Sequence, residues 1–471
     1  MKNRKRAMEV GVVISIIVLA FVLRMYHIDR LAVFLSDQVI DSFVVKDILA
    51  GHFTLLGPRA SVGQFFNGPI VYYLMIPFYF LFHSDPLAGT FFQITFQIAT
   101  IPLLYLLAKS FGGKKAGLIS IIIFAFSPLL IGYSRAAFNA YPAIFFTTII
   151  LYLITKTNPS SLVLFVAGLC AGMLVQMHYF LYVYALGYFI YTVIQSKNIK
   201  QHISFLIGST IGLSPFLLFE LRHEFFNVRA ILLSSGAVAD RANILDRVLN
   251  VGTAIGSLLG VAPSVALIII LFVCFRVLRK GIDARLRLVF LISLSALFVS
   301  LILYKGVLQT HYLIGFMMIF VVAISSIVAR IFSSRALVFL STIYAICFFV
   351  FQRGLFIVPG DQDGLGLADE RVTASLISHW KKTDISWNIT QDAQRDNRAM
   401  PLRYLLSLDK SLPQPLPVEG YQSNKELFVV VPHGKKIREV NTWEVQAFGN
   451  DYRIIRSAVI NPKYSLFYLR K

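Results

Sequence analysis

Apolar runs of bilayer length recur from residue 8 to residue 351, and they constrain the fold more than any other feature of the chain. A helix that crosses a membrane needs about 20 mostly apolar residues, because every backbone polar group must be satisfied inside the hydrocarbon. On that basis the sequence predicts about eleven spans: Met8–Tyr26, Leu87–Leu107, Ala116–Ile131, Pro142–Ile154, Ser161–Met177, Tyr179–Ile194, Ile203–Leu221, Val251–Phe275, Leu288–Tyr304, Tyr312–Ala329 and Ala336–Phe351. Composition agrees: 57% of the residues are hydrophobic and only 14% charged, far from the balance of a soluble domain. A soluble enzyme, a disordered chain and a secreted disulfide scaffold are excluded. Cys170, Cys274 and Cys347 sit inside apolar runs and read as small buried hydrophobes, not disulfides or metal ligands.

The net charge of +20 sorts itself along the chain. With the N-terminus inside, the inner loops carry Lys2, Arg4, Lys5 and Arg6; Lys109, Lys114 and Lys115; Lys156; Lys197 and Lys200; Arg276, Arg279, Lys280, Arg285 and Arg287; and Arg330 and Arg335. These loops are nearly free of acid, which is the positive-inside pattern. The charge is therefore a topology signal and not a nucleic-acid footprint. The run Pro69–Phe82 is too short to cross comfortably, and counting it as a span would put Lys109–Lys115 outside. It is expected to lie at the interface or re-enter. Met8–Tyr26 follows a basic start without a small-residue cleavage site and reads as a signal anchor.

The outer loops mix acids, bases, His and Asn over Asp29–Pro86, Tyr133–Tyr141, Arg222–Asn250 and Lys305–His311. Residues 352–471 form a polar tail with strand candidates Leu427–Val431, Tyr452–Ile460 and Tyr464–Leu469, and helical stretches Val372–Trp380 and Pro401–Leu408. The expected fold is an all-α polytopic membrane module, residues 1–351, followed by a small extracytoplasmic α/β domain, residues 352–471. The expected location is the plasma (inner) membrane. The sequon Asn388-Ile-Thr390 is short enough to arise by chance.

Chemistry concentrates in the first outer loop. Asp37 and Asp41 are four apart and share a face if the segment is helical. A carboxylate at the lipid–water boundary can act as a general base, its basicity raised by the low local dielectric. The competing reading makes Asp37 a helix cap and Asp41 a solvated surface carboxylate. Outer cations near helix ends, Arg59, Arg135, Arg222, Arg229 and Lys305, suit an anionic headgroup. His178 and His311, each beside a Tyr (Tyr179 and Tyr312), read either as packed interfacial residues or as substrate contacts.

The ordered set of motifs resembles the GT-C class of membrane glycosyltransferases, nearest to glycosyltransferase family 39. That family includes the protein O-mannosyltransferases and the lipid A aminoarabinose transferase. The resemblance rests on the acidic first outer loop, Gly68-Pro69 through Pro77, the inner turn Phe111-Gly112-Gly113-Lys114, and Ser127-Pro128. It continues through Tyr133-Ser134-Arg135 to Pro142, Gln176 to Tyr179, Pro215 to Arg229, Gln309 to Tyr312, and Asp396 to Tyr404. It implies transfer of a mannose-like or other hexose or pentose from a polyprenyl-phosphate carrier to an acceptor hydroxyl, with inversion, on the outer face. Asp37 would be the base, with Arg59, Arg135, Arg222 and Lys305 on the donor phosphate. Asp41, Asn67, Asn139, His178, Tyr179, Glu220, His223, His311 and Tyr312 would line the substrates. Many relatives carry Asp-Glu where this chain has Asp37-Gln38, so a second carboxylate is missing or supplied by Asp41. Asn139 stands where some relatives have an acid. The expected partners are membrane lipids, the polyprenyl-linked donor and a protein, lipid or glycan acceptor, with no nucleic acid. No spacing marks a metal site; Mg²⁺ on Asp37 and Asp41 is an option the chemistry does not require. Two rival classes are a transporter or flippase of a lipid-linked sugar and a non-catalytic scaffold. Spans almost free of charge weigh against the transporter.

Overall fold

The computed structural model describes residues 2–60, 65–234, 242–279, 281–304, 306–357, 365–381, 384–393, 398–415 and 417–471. Helix α1 (Lys2–Met25) is followed by α2 (Ile28–Leu31), α3 (Ser36–Leu49) and α4 (Ile70–Leu81). The bundle continues with α5 (Leu87–Ala125), α6 (Pro128–Ser134), α7 (Ala143–Ile154), α8 (Ser161–Met177), α9 (Leu181–Gln195) and α10 (Ile199–Arg222). Then come α11 (Phe226–Ser234), α12 (Ile244–Leu259), α13 (Pro263–Leu278), α14 (Ala284–Leu303), α15 (Ile314–Ile331) and α16 (Ser334–Phe351). Among the described residues six helices are long and apolar enough to cross a membrane, or seven if one bent pair is a single span. Each apolar run of the sequence is helical, with α4, α7, α8 and α9 the shorter ones.

Two boundaries depart from expectation, each for a local reason. The two spans expected from Leu87 to Ile131 form as two helices that turn back on each other at Gly113, whose φ of 72° a side chain would oppose, so that the Ser120 hydroxyl reaches the Leu104 carbonyl and Gly117 stands against Tyr105. The second of them stops at Ala125, because Ser127 takes an extended conformation and caps α6 through Leu130 N–H, with Pro128 at the first helical position. The expected span Val251–Phe275 is two helices, α12 and α13, bent by 92°. Left-handed Gly260 ends the first and Pro263 opens the second. Cys170 is buried as expected, whereas Cys347 is exposed: most of α16 lies on the outside of the bundle, where an apolar residue meets lipid.

Helices α8 and α10 pack backbone against backbone. Gly168 and Gly172 on one, and Gly208 and Gly212 on the other, stand so near the facing backbone that a Cβ at any of them would overlap a carbonyl, of Phe205, Ser209, Phe165 and Leu169 respectively. This is small-residue packing at four-residue spacing on both partners, which substitutes van der Waals contact for the missing hydrophobic drive in lipid. Two buried arginines close one end of the bundle. Arg24 donates to the carbonyls of Ala20, Phe124 and Ala125, and Arg135 to those of Leu23 (3.1 Å) and Leu355. These carbonyls belong to the C-terminal ends of α1 and α5 and to the single 3₁₀ turn after α16, where the helix dipole is negative.

The C-terminal part contains α17 (Leu367–Trp380), β1 (Trp387–Gln391), α18 (Met400–Ser407), β2 (Glu426–Pro432), α19 (Trp443–Phe448), β3 (Arg453–Asn461) and β4 (Tyr464–Arg470). The sheet order is β1-β2-β4-β3, with β1 and β2 parallel and the other pairs antiparallel. Strand β2 is covered on both faces: Phe428 and Val430 pack with Ile377, Leu402 and Leu406, while Leu427, Val429 and Val431 pack with Val445 and Phe448. Its unbroken apolar run follows from that double burial. The three expected strands form; β1 is an addition, and its Asn388 is fully buried. A fully buried ion pair, Lys381 to Glu426 at 2.9 Å, is completed by Arg470 and by the Tyr468 hydroxyl at 2.6 Å. A buried charge pair holds only when its remaining valences are met in this way.

Candidate active site

Helix α3 carries both loop carboxyls, and its start is closed by a residue other than the expected cap. The Leu35 N–H donates to Gln38 Oε1 at 3.1 Å, so Gln38 does the capping and Asp37 is left exposed in the first turn. An ionised carboxylate is favoured at that helix end. Asp41, one turn on, is not the solvated residue of the competing reading: it is 5% exposed and accepts a 3.0 Å hydrogen bond from the Tyr72 hydroxyl of α4. Beside it, Ser42 donates to the Gln38 carbonyl, and its hydroxyl lies 2.6 Å from that of Tyr79.

Burial pushes the Asp41 carboxyl from 3.8 up to about 7; the Tyr72 hydrogen bond acts the other way, and the nearby Asp37 charge adds to the rise. Burial, with Asp41 beside it, moves the Tyr72 hydroxyl upward too. A carboxyl held higher in the folded than in the unfolded chain contributes stability that is complete at low pH. That stability is lost as pH rises from about 4 through about 7. Asp41→Asn keeps an acceptor for Tyr72 and removes the titration. Thermal unfolding of variant and wild type is therefore expected to coincide near pH 3 and to separate at pH 8, with the variant the more stable by a few kcal/mol. Parallel pH dependence of the two proteins would contradict the buried placement.

The loop between α3 and α4 folds back on itself and is strapped to the ends of α8 and α10. Gly57 N–H donates to Asn67 O, Asn67 N–H to Pro58 O, and Asn67 Nδ2 to the same Pro58 carbonyl at 3.1 Å. Gly68 N–H reaches the Gln176 carbonyl at the end of α8. Phe66 N–H donates to Asn227 Oδ1 at 2.7 Å, and Asn227 Nδ2 donates to Glu220 Oε1, also at 2.7 Å. Glu220 further accepts from the Val228 N–H. It is thus buried and engaged in closing the start of α11, while Asn67 is spent on the loop's own turn.

At the same end of the bundle four of the expected residues meet. The rings of His178 and His311 are 5.0 Å apart, His178 stacks on Tyr179 at 4.4 Å, and the Tyr179 hydroxyl donates to that of Tyr312 at 3.0 Å. Phe65 of the strapped loop stands edge-on to Tyr179, and Phe138 to His311. Tyr133 stacks on Tyr141 at 3.8 Å, and its hydroxyl lies 2.6 Å from that of Thr310. Asn139 Nδ2 donates to the Met177 carbonyl at 2.6 Å, fixing the approach to His178. The result is an aromatic floor beside the loop that follows α3.

The expected cations divide. Arg59, on the strapped loop, and Arg222, at the end of α10, are exposed. Arg135 is not brought to the site: it is buried, and it faces backbone carbonyls and the Phe356 ring. Exposed His223 stacks on Phe219 and bonds its carbonyl through Nδ1. Lys305, Ser61, Val62, Gly63, Asp396 and Asn397 lie outside the described residues. Among the described residues no group of three His, Cys, Asp or Glu side chains is placed to hold a metal ion. Tyr72, Gln176 and Asn227 lie in the motif segments but carry no site role in the sequence, and Tyr79 lies outside them, since nothing local ties these residues to α3 or the loop.

This arrangement, apolar helices with a carboxylate-bearing helix and strapped loop at one end and a small α/β unit behind, is the GT-C fold of polytopic membrane proteins. The structure of ArnT from Cupriavidus metallidurans bound to undecaprenyl phosphate superposes with a TM-score of 0.65 at 10% identity, covering 97% of this chain and 98% of that one. Archaeal oligosaccharyltransferase AglB from Archaeoglobus fulgidus, in complex with an inhibitory peptide and a dolichol-phosphate, matches with a TM-score of 0.50 at 11% identity over 91% of this chain and 70% of that one. Arabinofuranosyltransferase AftD from Mycobacteria gives 0.50 at 13% identity, over 99% and 41%. Residues 67–219 match the family model of dolichyl-phosphate-mannose-protein mannosyltransferases. A search of curated proteins finds no match.

Proposed function

We propose that the protein is an inverting glycosyltransferase that moves a sugar from a polyprenyl-phosphate carrier to an acceptor hydroxyl. The observation that carries this reading is the placement of Asp37. It is an exposed carboxylate on the first turn of α3, at the bundle end where the strapped loop, the aromatic floor and exposed Arg59 and Arg222 converge. Asp37 takes the proton of the acceptor hydroxyl while that oxygen bonds to the anomeric carbon. The carbon–oxygen bond to phosphate breaks, and the electron pair leaves with the lipid phosphate. Arg59, Arg222 and Lys305 counter the charge that develops there. Tyr179, Tyr312, His178 and His311 offer stacking faces and hydroxyls to sugar or prenyl chain; Asn67, Asn139 and Glu220 hold the walls. Arg135 is left to the scaffold. The site faces away from the cytoplasm in the plasma membrane, with residues 352–471 on that side and the N-terminus inside.

The test is to incubate purified protein in lipid nanodiscs with polyprenyl-phosphate-linked hexoses and pentoses and with peptide, lipid and glycan acceptors, and to measure release of polyprenyl phosphate. Release dependent on both donor and acceptor is expected. Movement of donor across proteoliposomes with no release would instead make the chain a flippase.

A further inference from the structure

Helix α3 is gripped from two sides, and only one grip comes from the membrane bundle. On the bundle side Tyr72 and Tyr79 of α4 hold Asp41 and Ser42. On the other side stands α18, which the chain reaches only some 350 residues later. Tyr404 of α18 is fully buried. Its ring stands edge-on to Phe34, just before α3, at 5.4 Å, and to Phe43, in the middle of α3, at 5.0 Å. Its hydroxyl donates to the Ser84 carbonyl at 2.8 Å, tying it also to the α4–α5 turn. One turn on, Lys46 of α3 donates to both the carbonyl and the hydroxyl of Ser407, at 2.9 and 3.0 Å.

A second anchor keeps α18 in place. Arg371 of α17 reaches both oxygens of Asp85, at 2.6 and 2.7 Å, and Asp85 itself caps the start of α5 through the Leu87 N–H. Both contacts come from the one nitrogen Nη2, a charge-assisted pair that ties α17 to the α4–α5 turn. Since α17 and α18 pack together on the sheet through Ile377, Leu402 and Leu406, the C-terminal unit meets the bundle as one piece.

We infer that Tyr404 and Lys46 are positioning residues: through them the C-terminal α/β unit sets the orientation of α3 and so aims Asp37 at the acceptor. The inference rests on the role proposed above for Asp37. Helix α3 has only 14 residues, and a helix of that length is marginal alone and takes its stability from what packs on it. Without the α18 grip its exposed face loses lateral support, and an error of about 1 Å at a base costs up to about a hundred-fold in rate.

The experiment uses the full chain in nanodiscs with three variants. Tyr404→Ala removes the wedge, Tyr404→Phe keeps the rings and loses the hydroxyl's contacts with Ser84 and Ser42, and Lys46→Met removes the Ser407 contacts without opening a cavity. Amide hydrogen exchange over residues 36–49 and steady-state kinetics are both measured. Tyr404→Ala and Lys46→Met are expected to raise exchange in α3 by about ten-fold. They should lower kcat by about ten- to a hundred-fold with KM for the donor within about two-fold, while Tyr404→Phe stays near wild type. Unchanged α3 exchange in both Tyr404→Ala and Lys46→Met overturns the inference, and so does raised exchange with wild-type kcat. The exchange measurement stands apart from turnover: if wild type releases lipid phosphate from no donor, the proposed function fails, and the grip is still decided by protection of residues 36–49.

Discussion

Asp37→Asn is expected to lower kcat by about 10²–10⁴-fold, the range removed with a general base, while leaving the fold intact. The side chain is exposed, and the helix start it occupies is capped by Gln38. Loss of its charge therefore costs the helix about 0.3–1 kcal/mol at most. Asn has the same shape and cannot accept the proton, so the nucleophile must attack as a neutral hydroxyl. Asp37→Glu keeps the base but displaces it by a methylene and should recover part of the rate. Asp41 is a poor substitute, because it is buried and already accepts from Tyr72. Release of polyprenyl phosphate under saturating donor is the measurement. Equal turnover in Asp37→Asn and wild type would remove this residue from the chemistry.

The second large effect belongs to the α8–α10 contact. Gly212→Val places branched carbon atoms against the carbonyl of Leu169, and neither backbone has a flexible neighbour to give way. The helices must separate, and overpacking of this kind costs about 3 kcal/mol or more. Separation also moves what the two helices carry: α8 leads to Gln176 and His178, and α10 to Glu220. Stability and activity should therefore fall together, with a lowered midpoint in thermal unfolding and loss of turnover. Gly172→Val should do the same, and the double variant should cost less than the sum, since the helices separate once. A wild-type unfolding midpoint in Gly212→Val would show that the contact is not a determinant of packing.

How far the sequence could be read depends on the range of the forces involved. Hydrophobic runs are local, so every apolar helix was legible. Their ends were less so, because averaging over a window hides single punctuation residues: Gly260 and Pro263 divide what looked like one span. The strand β1 was missed because Asn388, Thr390 and Gln391 are polar and yet buried. Arg403 donates to the side-chain carbonyl oxygen of Asn388, 15 residues away, and Glu444 accepts from Thr390, 54 residues away. The site shows the same division. The spacing of Asp37 and Asp41 is a property of one helix, but their unlike environments are set by Tyr72, 31 residues on. Arg135 looks like a phosphate ligand because it ends an outer helix; the carbonyls it serves are at Leu23, 112 residues earlier, and Leu355, 220 residues later. The meeting of His178 with His311 likewise joins segments far apart in sequence.

The carbonyl-bound arginines carry a consequence for how the protein is made. Translation delivers Arg24 about 100 residues before its acceptors on α5, and Arg135 much earlier still than Leu355. Until those segments leave the ribosome, Arg24 has only the Ala20 carbonyl and Arg135 only that of Leu23, so each guanidinium is held with part of its acceptor set missing. Chains interrupted before residue 355 would keep Arg135 without its Leu355 acceptor. The 3₁₀ turn after α16 thus completes the Arg135 acceptor set only once every helix of the membrane bundle has been made.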